Sequence, residues 1–170
     1  CEHFFMIMPK PEMPSPIEDT KTLGSLLANK STSFDTVETK ATDTAVIVYT
    51  SGTTGKPKGA ELSHSNLIQN TILSESLYNC NKDDTMLIVL PLFHIFAMTV
   101  LMNAALYKGA TSILLPRFDA GAVLDTLEKH KVTVFAGVPT MYWGLNSYLD
   151  ANDFDVSTIK SNLRMCLSGG

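Results

Sequence analysis

The residues best suited to chemistry lie together in one run, Tyr49-Thr50-Ser51-Gly52-Thr53-Thr54-Gly55-Lys56-Pro57-Lys58-Gly59. Thr50, Ser51, Thr53 and Thr54 offer hydroxyl donors. Gly52, Gly55 and Gly59 let the chain turn tightly and bring backbone N–H groups close to a ligand. Lys56 and Lys58 add positive charge on flexible stems. Donors, open backbone and cations together suit a polyanion such as a phosphate chain. The run is not a Walker A loop. Gly55-Lys56 is followed by Pro57 rather than Ser or Thr, and Thr50 stands where that pattern needs its first glycine. A strand-like Ala60 to Ser63 follows, so the loop must rely on its own donors rather than on a helix dipole.

The elements that must carry this loop alternate. Ala45 to Tyr49 is rich in β-branched residues and reads as a buried strand leading into the loop. His64 to Asn79 reads as a helix capped by Ser63 or Ser65, with Leu67, Ile68, Thr71, Ile72 and Ser76 near a 3.6 period. Met86 to Leu90, Thr111 to Leu115, Val132 to Phe135 and Leu163 to Leu167 read as strands. Between them the pattern predicts helices over Phe93 to Tyr107, Ala120 to His130 and Pro139 to Leu149. In the second of these Val123, Leu124 and Leu127 share one face; in the third a proline sits in the first turn. Strand–helix alternation predicts an α/β fold with a parallel or mixed sheet. Residues 1–43 read as a proline- and threonine-rich lead-in with a short strand and a helix near Thr22 to Asn29; residues 44–170 form the α/β part.

Composition limits the function classes. The 170 residues are 45% hydrophobic and 18% charged, enough for a real core. The net charge of −4 argues against a nucleic-acid partner. Cys1, Cys80 and Cys166 form no CxxC pair and no metal spacing, which fits a reducing, cytoplasmic setting. Thr85 to Tyr107 carries no charge, but Pro91, His94 and Asn103 interrupt it, so it reads as buried strand and helix rather than a membrane span. Membrane association is expected to be peripheral at most.

The run Tyr49 to Gly59 resembles the AMP-binding signature of the adenylate-forming superfamily, which contains acyl-CoA and aryl-CoA synthetases, luciferases and peptide-synthetase adenylation domains. Pro91-Leu92-Phe93-His94-Ile95-Phe96 resembles the Pro-x-Phe-His motif of the CoA-synthetase branch. Val138-Pro139-Thr140-Met141-Tyr142 and Ser168-Gly169-Gly170 follow in the family's order. Leu62-Ser63-His64-Ser65-Asn66-Leu67 also looks like the fatty-acyl and coumarate-type ligases, and the aliphatic character of Phe93 to Leu106 leans toward a fatty acid.

The resemblance implies that a carboxylic acid attacks the α-phosphate of ATP and that the acyl-adenylate is passed to coenzyme A. It assigns Thr50, Ser51, Gly52, Thr53, Thr54, Gly55, Lys56 and Lys58 to the phosphates. Mg²⁺ would lie near Thr50, with no metal ligands in this stretch. Gly169 and Gly170 would stand at the adenine and acyl pocket, with Phe93 beside the acid. His94 is expected to position or gate; a carboxylate substrate, already ionised near neutral pH, gives it little to do as a base. Tyr142 reads either as pocket wall or as a core aromatic. His130 reads as a cation at a helix end, Trp143 as packing and Cys166 as inert. No Tyr-Gly-x-Thr-Glu segment and no catalytic lysine domain of the family is found, so the chain is expected to be an N-terminal-domain fragment, inactive alone and self-associating through an uncovered face. The competing readings are an aryl-acid ligase, a kinase-like or ATPase phosphate binder, and a non-catalytic nucleotide-binding or interaction module.

Overall fold

A computed structural model describes residues 4–51 and 55–169. The chain divides into two compact units, Cys1–Thr39 and Lys40–Gly170.

In the first unit, β1 (Phe5–Met6) pairs in parallel with β2 (Lys21–Thr22), which runs into α1 (Leu23–Leu27). Thr22 caps that helix: its Oγ1 accepts from the Ser25 N–H at 3.0 Å, and Ser25 Oγ accepts from the Thr22 N–H at 3.0 Å. Gly24 is obligatory here, because a Cβ would fall 1.9 Å from the Pro11 carbonyl oxygen.

The second unit opens with an antiparallel hairpin, β3 (Thr44–Thr50) and β4 (Lys58–Ser63), in which Thr50 faces Lys58 across the ladder. Helix α2 (His64–Tyr78) follows. Ser63 is its cap: Ser63 Oγ accepts from the Asn66 N–H, and Asn66 Oδ1 accepts from the Ser63 N–H. Then come β5 (Thr85–Ile88), a π-helical segment (Ala97–Asn103), α3 (Ala104–Lys108) and β6 (Thr111–Leu114). The chain finishes with α4 (Ala120–Lys129), β7 (Val134–Gly137), α5 (Pro139–Ala151), α6 (Ser157–Asn162) and β8 (Met165–Ser168).

The four last strands form one all-parallel sheet in the order β6-β5-β7-β8. From β5 the chain steps outward to β6, then crosses back over β5 to β7. Crossovers of one hand in opposite directions put their helices on opposite faces. The core confirms this. Met86, Ile88, Val134 and Ala136 pack with Leu101, Ala104 and Ala105 of the π segment and α3 on one face. Leu87, Val89 and Phe135 pack with Val123, Leu124, Leu127, Leu145 and Ile159 of α4, α5 and α6 on the other. The predicted α/β class and the Val123-Leu124-Leu127 face stand.

Several sequence expectations change. β3 is no buried strand of the parallel sheet: it belongs to the separate hairpin, and Ile47 and Tyr49 are exposed. β-branched content marks a strand without saying what covers it. On α2 the inward residues are Thr71, Ser74 and Tyr78, while Ile68, Ile72, Leu73 and Leu77 face out. The expected helix from Phe93 begins at Ile95, with Phe93 in a turn and 83% exposed. β7 lies two residues beyond its expected start. The short helix α6 was not anticipated. Trp143 is 69% exposed rather than packed. Among the described residues no helix is long and apolar enough to cross a membrane.

Candidate functional site

The three motifs meet where α/β sheets hold ligands, at the carboxyl ends of the parallel strands. Pro91 to His94 follows β5, Val138-Pro139 follows β7, and Gly169 follows β8. Phe96 joins the first motif to the last: a Cβ added at Gly169 would lie 3.7 Å from Phe96 Cζ. Glycine at 169 thus keeps the space above that ring open.

His94 forms the turn into the helix. Its N–H bonds the Pro91 carbonyl at 2.9 Å, and its carbonyl accepts from the Met98 N–H at 3.0 Å. Its Nδ1 accepts from the Phe96 N–H at 3.2 Å, so the imidazole acts as the helix cap and its ring proton sits on Nε2. The residue is exposed.

Beside Phe96 opens a cleft of about 600 Å³, walled by Leu62 of β4, Asn66, Leu67 and Asn70 of α2, and Ile95, Phe96, Thr99 and Val100. Its floor is apolar and its amides come only from α2. The spacing Asn66–Asn70 puts both on one helix face, a signal present in the sequence that the motif reading passed over.

The hydroxyl- and lysine-rich run crowns the β3–β4 hairpin. Thr50, Ser51, Gly55, Lys56 and Lys58 are all exposed, and Gly55 adopts φ +79°. Lys58 and Gly59 belong to β4, so the loop is shorter than expected and the second strand longer. Gly59 lies under Tyr49 and Ile47; a Cβ there would come within 3.0 Å of Ile47 Cγ2. Gly52, Thr53, Thr54 and Gly170 lie outside the described residues. β4 separates the loop from α2, so the loop does not run directly into a helix. Among the described residues no three His, Cys, Asp or Glu side chains converge to hold a metal ion.

Phe93 and Tyr142 line different cavities. Phe93 borders a cleft of about 580 Å³ with Leu92, Leu114 and Pro116. Tyr142 borders one of about 330 Å³ with Pro139, Trp143, Cys166 and Ser168. Tyr142 is also tied into the packing between α5 and β8. Its hydroxyl donates to the Leu167 carbonyl at 2.7 Å, and its ring meets Phe135 edge-on at 5.5 Å. Burial, helped by nearby Cys166, pushes its pKa up to about 12 against the opposing backbone hydrogen bonds. Partial burial likewise pushes the Cys166 thiol up, which disfavours the reactive thiolate. His130 ends α4 as expected.

A second polar centre sits at the opposite end of the sheet. Asp84 is 3% exposed. It accepts from Arg164 Nε at 2.9 Å, from Thr133 Oγ1 at 2.6 Å and from the Asn81 N–H at 2.9 Å. No local pattern could have announced it, because Thr133 and Arg164 come from distant segments.

The comparisons follow this geometry. The model of the AMP-binding enzyme family matches residues 8–170. A long-chain-fatty-acid–CoA ligase of Bacillus subtilis is 41% identical over 129 residues, covering 75% of this chain and 22% of that protein. 4-Coumarate–CoA ligase 3 of Arabidopsis thaliana is 37% identical over 139 residues, 79% of this chain and 24% of its own length. Among solved structures, ATP-bound MatB from Rhodopseudomonas palustris superposes with a TM-score of 0.73 at 36% identity, over 84% of this chain and 27% of that one. O-succinylbenzoate coenzyme A synthetase (MenE) from Bacillus subtilis, in complex with ATP and magnesium ion, gives 0.70 at 31% identity, over 89% and 31%. This chain therefore spans less than a third of each of these relatives. The family model matches all but the first seven residues, the parallel sheet superposes on these relatives, and the chain belongs to the AMP-binding enzyme family.

Proposed function

We propose that this chain supplies the phosphate-holding and acid-holding parts of an ATP-dependent acid–CoA ligase. The reaction proposed is formation of an acyl-adenylate from a carboxylic acid and ATP, followed by transfer of the acyl group to coenzyme A. One observation carries the reading: β4 begins with Lys58 at the polar tip and, one residue before its end, places Leu62 in the wall of the apolar cleft. Four residues of strand set the two about 13 Å apart. That suits a reaction joining a polyphosphate to an apolar acid.

The residues fit a nucleotide's phosphates. Thr50, Ser51, Lys56 and Lys58 present donors and charge to solvent, and Gly55 supplies a left-handed turn among them. Bound ATP supplies the α-phosphorus that the acid attacks and the pyrophosphate that leaves. Lys56 and Lys58 would hold the negative charge that grows on the leaving phosphates. Mg²⁺ would enter with the nucleotide's own oxygens near Thr50. Phe93 and His94 would orient the acid, His94 through Nε2–H, and Gly169 with Gly170 would leave room for the adenylate.

The apolar cleft supports a fatty acid as substrate. An aryl acid is the second reading, favoured by the resemblance to 4-coumarate–CoA ligase 3. ATP–pyrophosphate exchange by the full protein against acetate, hexanoate, palmitate and coumarate, with Lys56→Ala beside it, tests the proposal. Exchange driven by one acid and lost in the variant is expected. A folded protein that binds ATP yet exchanges with no acid would favour the non-catalytic nucleotide-binding module instead. The isolated 170 residues are expected to form no acyl-adenylate, and the outward Leu73 and Leu77 of α2 to drive self-association, visible as excess light scattering.

A further inference from the structure

The helix that walls the cleft is not regular. It is wound as a π-helix from Ala97 to Asn103 and returns to α at Ala104. A π turn accommodates an additional residue, and one residue corresponds to about 100° of helix rotation. The register of this turn thus decides whether Phe96, Thr99 and Val100 face the cleft they line. The segment contains neither Gly nor Pro, so the usual local causes of an irregular helix are missing.

One hydrogen bond reaches this segment from α2. Tyr78 is 2% exposed, and its hydroxyl donates to the Val100 carbonyl at 2.5 Å. In an α-helix that carbonyl would take the N–H of Ala104. Here the Ala104 N–H bonds the Leu101 carbonyl instead. Tyr78 occupies the acceptor that the α register would use. Its own carbonyl accepts from Arg164 Nη1 at 2.8 Å, and that arginine is fixed by Asp84. The backbone of Tyr78 is therefore anchored to the segments that lead into β8 and β5.

We infer that Tyr78 is a positioning residue that locks the π turn and so sets which acids the cleft accepts. The inference rests on the proposed role of this cleft as the acid site. Without the hydroxyl, the Val100 carbonyl regains the Ala104 N–H, and the side chains upstream of the turn rotate relative to the cleft.

The test uses Tyr78→Phe in the full protein, with kcat/KM for hexanoate and palmitate, KM for ATP, and hydrogen–deuterium exchange. The palmitate-to-hexanoate ratio is expected to change about tenfold, the size of a one-or-two-methylene discrimination. The KM for ATP should stay the same, and exchange should rise over Ala97–Asn103 but not over α4. 4-Aminophenylalanine at position 78, which restores a donor, should restore the ratio. Tyr78→Met removes the same donor with a more adaptable side chain and serves if the Phe variant does not fold. Equal loss with both acids, or an unchanged ratio with unchanged exchange, overturns the inference. A wild-type protein inactive with every acid overturns the functional reading instead, and the hydrogen-exchange arm then decides on Tyr78 alone.

Discussion

Arg164 holds the buried carboxylate of Asp84 with two nitrogens and, with the same guanidinium, caps the Tyr78 and Asn79 carbonyls at the end of α2. One side chain thereby ties a helix end to the entry of β5. Arg164→Leu leaves Asp84 buried with only Thr133 and a backbone N–H as partners. We expect a loss of about 2–3 kcal/mol in urea unfolding. Asp84→Asn should cost less, and the double variant should cost less than the sum.

The same pair sets an acid limit. Burial works to raise the Asp84 pKa, but hydrogen bonds from Arg164, Thr133 and Asn81, with the arginine charge, outweigh it and hold the carboxyl below its usual 3.8. A lowered folded-state value means that this stability is present above the unfolded pKa and is lost as pH falls through the folded one. Thermal midpoints should drop below about pH 4 in the wild type. In Asp84→Asn that part of the drop should be absent.

Tyr142 titrates in the opposite sense. Its raised value, about 12, makes the protonated hydroxyl a stabilising donor below the ordinary tyrosine pKa of 10.0, with that contribution lost as pH rises from there to about 12. Absorbance near 295 nm should show a late-titrating component that is absent in Tyr142→Phe. That variant should also lose about 1 kcal/mol through the unpaired Leu167 carbonyl.

Much of this architecture is legible in the sequence, and the exceptions have physical causes. Val123, Leu124 and Leu127 announce α4 because an exposed helix needs polar residues on its other face. Pro139 marks the start of α5 because its missing N–H costs nothing there. The segment Ala97–Asn103 hides its π register because six of its seven residues are Ala, Met, Thr, Val or Leu, and a nearly uniform apolar run has no period to read. α6 offers only Ile159 as a buried residue, too little to show a face. α2 misleads because its inward side carries Thr71 and Ser74, which bond within their own helix, while its aliphatic side faces out. Of the candidate site, the loop and motif residues could be found from their types. The Asn66–Asn70 spacing was there to be read on α2, whereas the Tyr78–Val100 bond joins separate segments and could not be.

Gly55 offers a test of the loop that leaves its charges alone. Its φ is +79°, and no atom of the described residues lies within 4 Å of an added Cβ. Only backbone strain therefore distinguishes substitutions. Gly55→Asn, tolerant of left-handed backbone, should keep most pyrophosphate exchange. Gly55→Val should lose at least about tenfold, since about 1–2 kcal/mol of strain reshapes the loop, with no change in urea midpoint if the tip simply relaxes.

His94 separates capping from substrate contact. His94→Ala removes the acceptor for the Phe96 N–H and should cost about 1 kcal/mol. His94→Asn can cap equally well, so its thermal midpoint should match the wild type. A fall in kcat/KM for the acid in His94→Asn, at unchanged stability, would assign the imidazole a direct role in holding the substrate.

The strand pairings also order the folding of this chain. The hairpin closes over a short loop, with Thr50 opposite Lys58. The parallel sheet must instead bring Thr85 to Thr133 across 48 residues, and Asp84 to Arg164 across 80. Local closures form in microseconds, whereas distant parallel pairings are slow. The β3–β4 hairpin and α2 are thus positioned to form early, while the carboxyl edge of the parallel sheet is completed only when β8 docks beside β7.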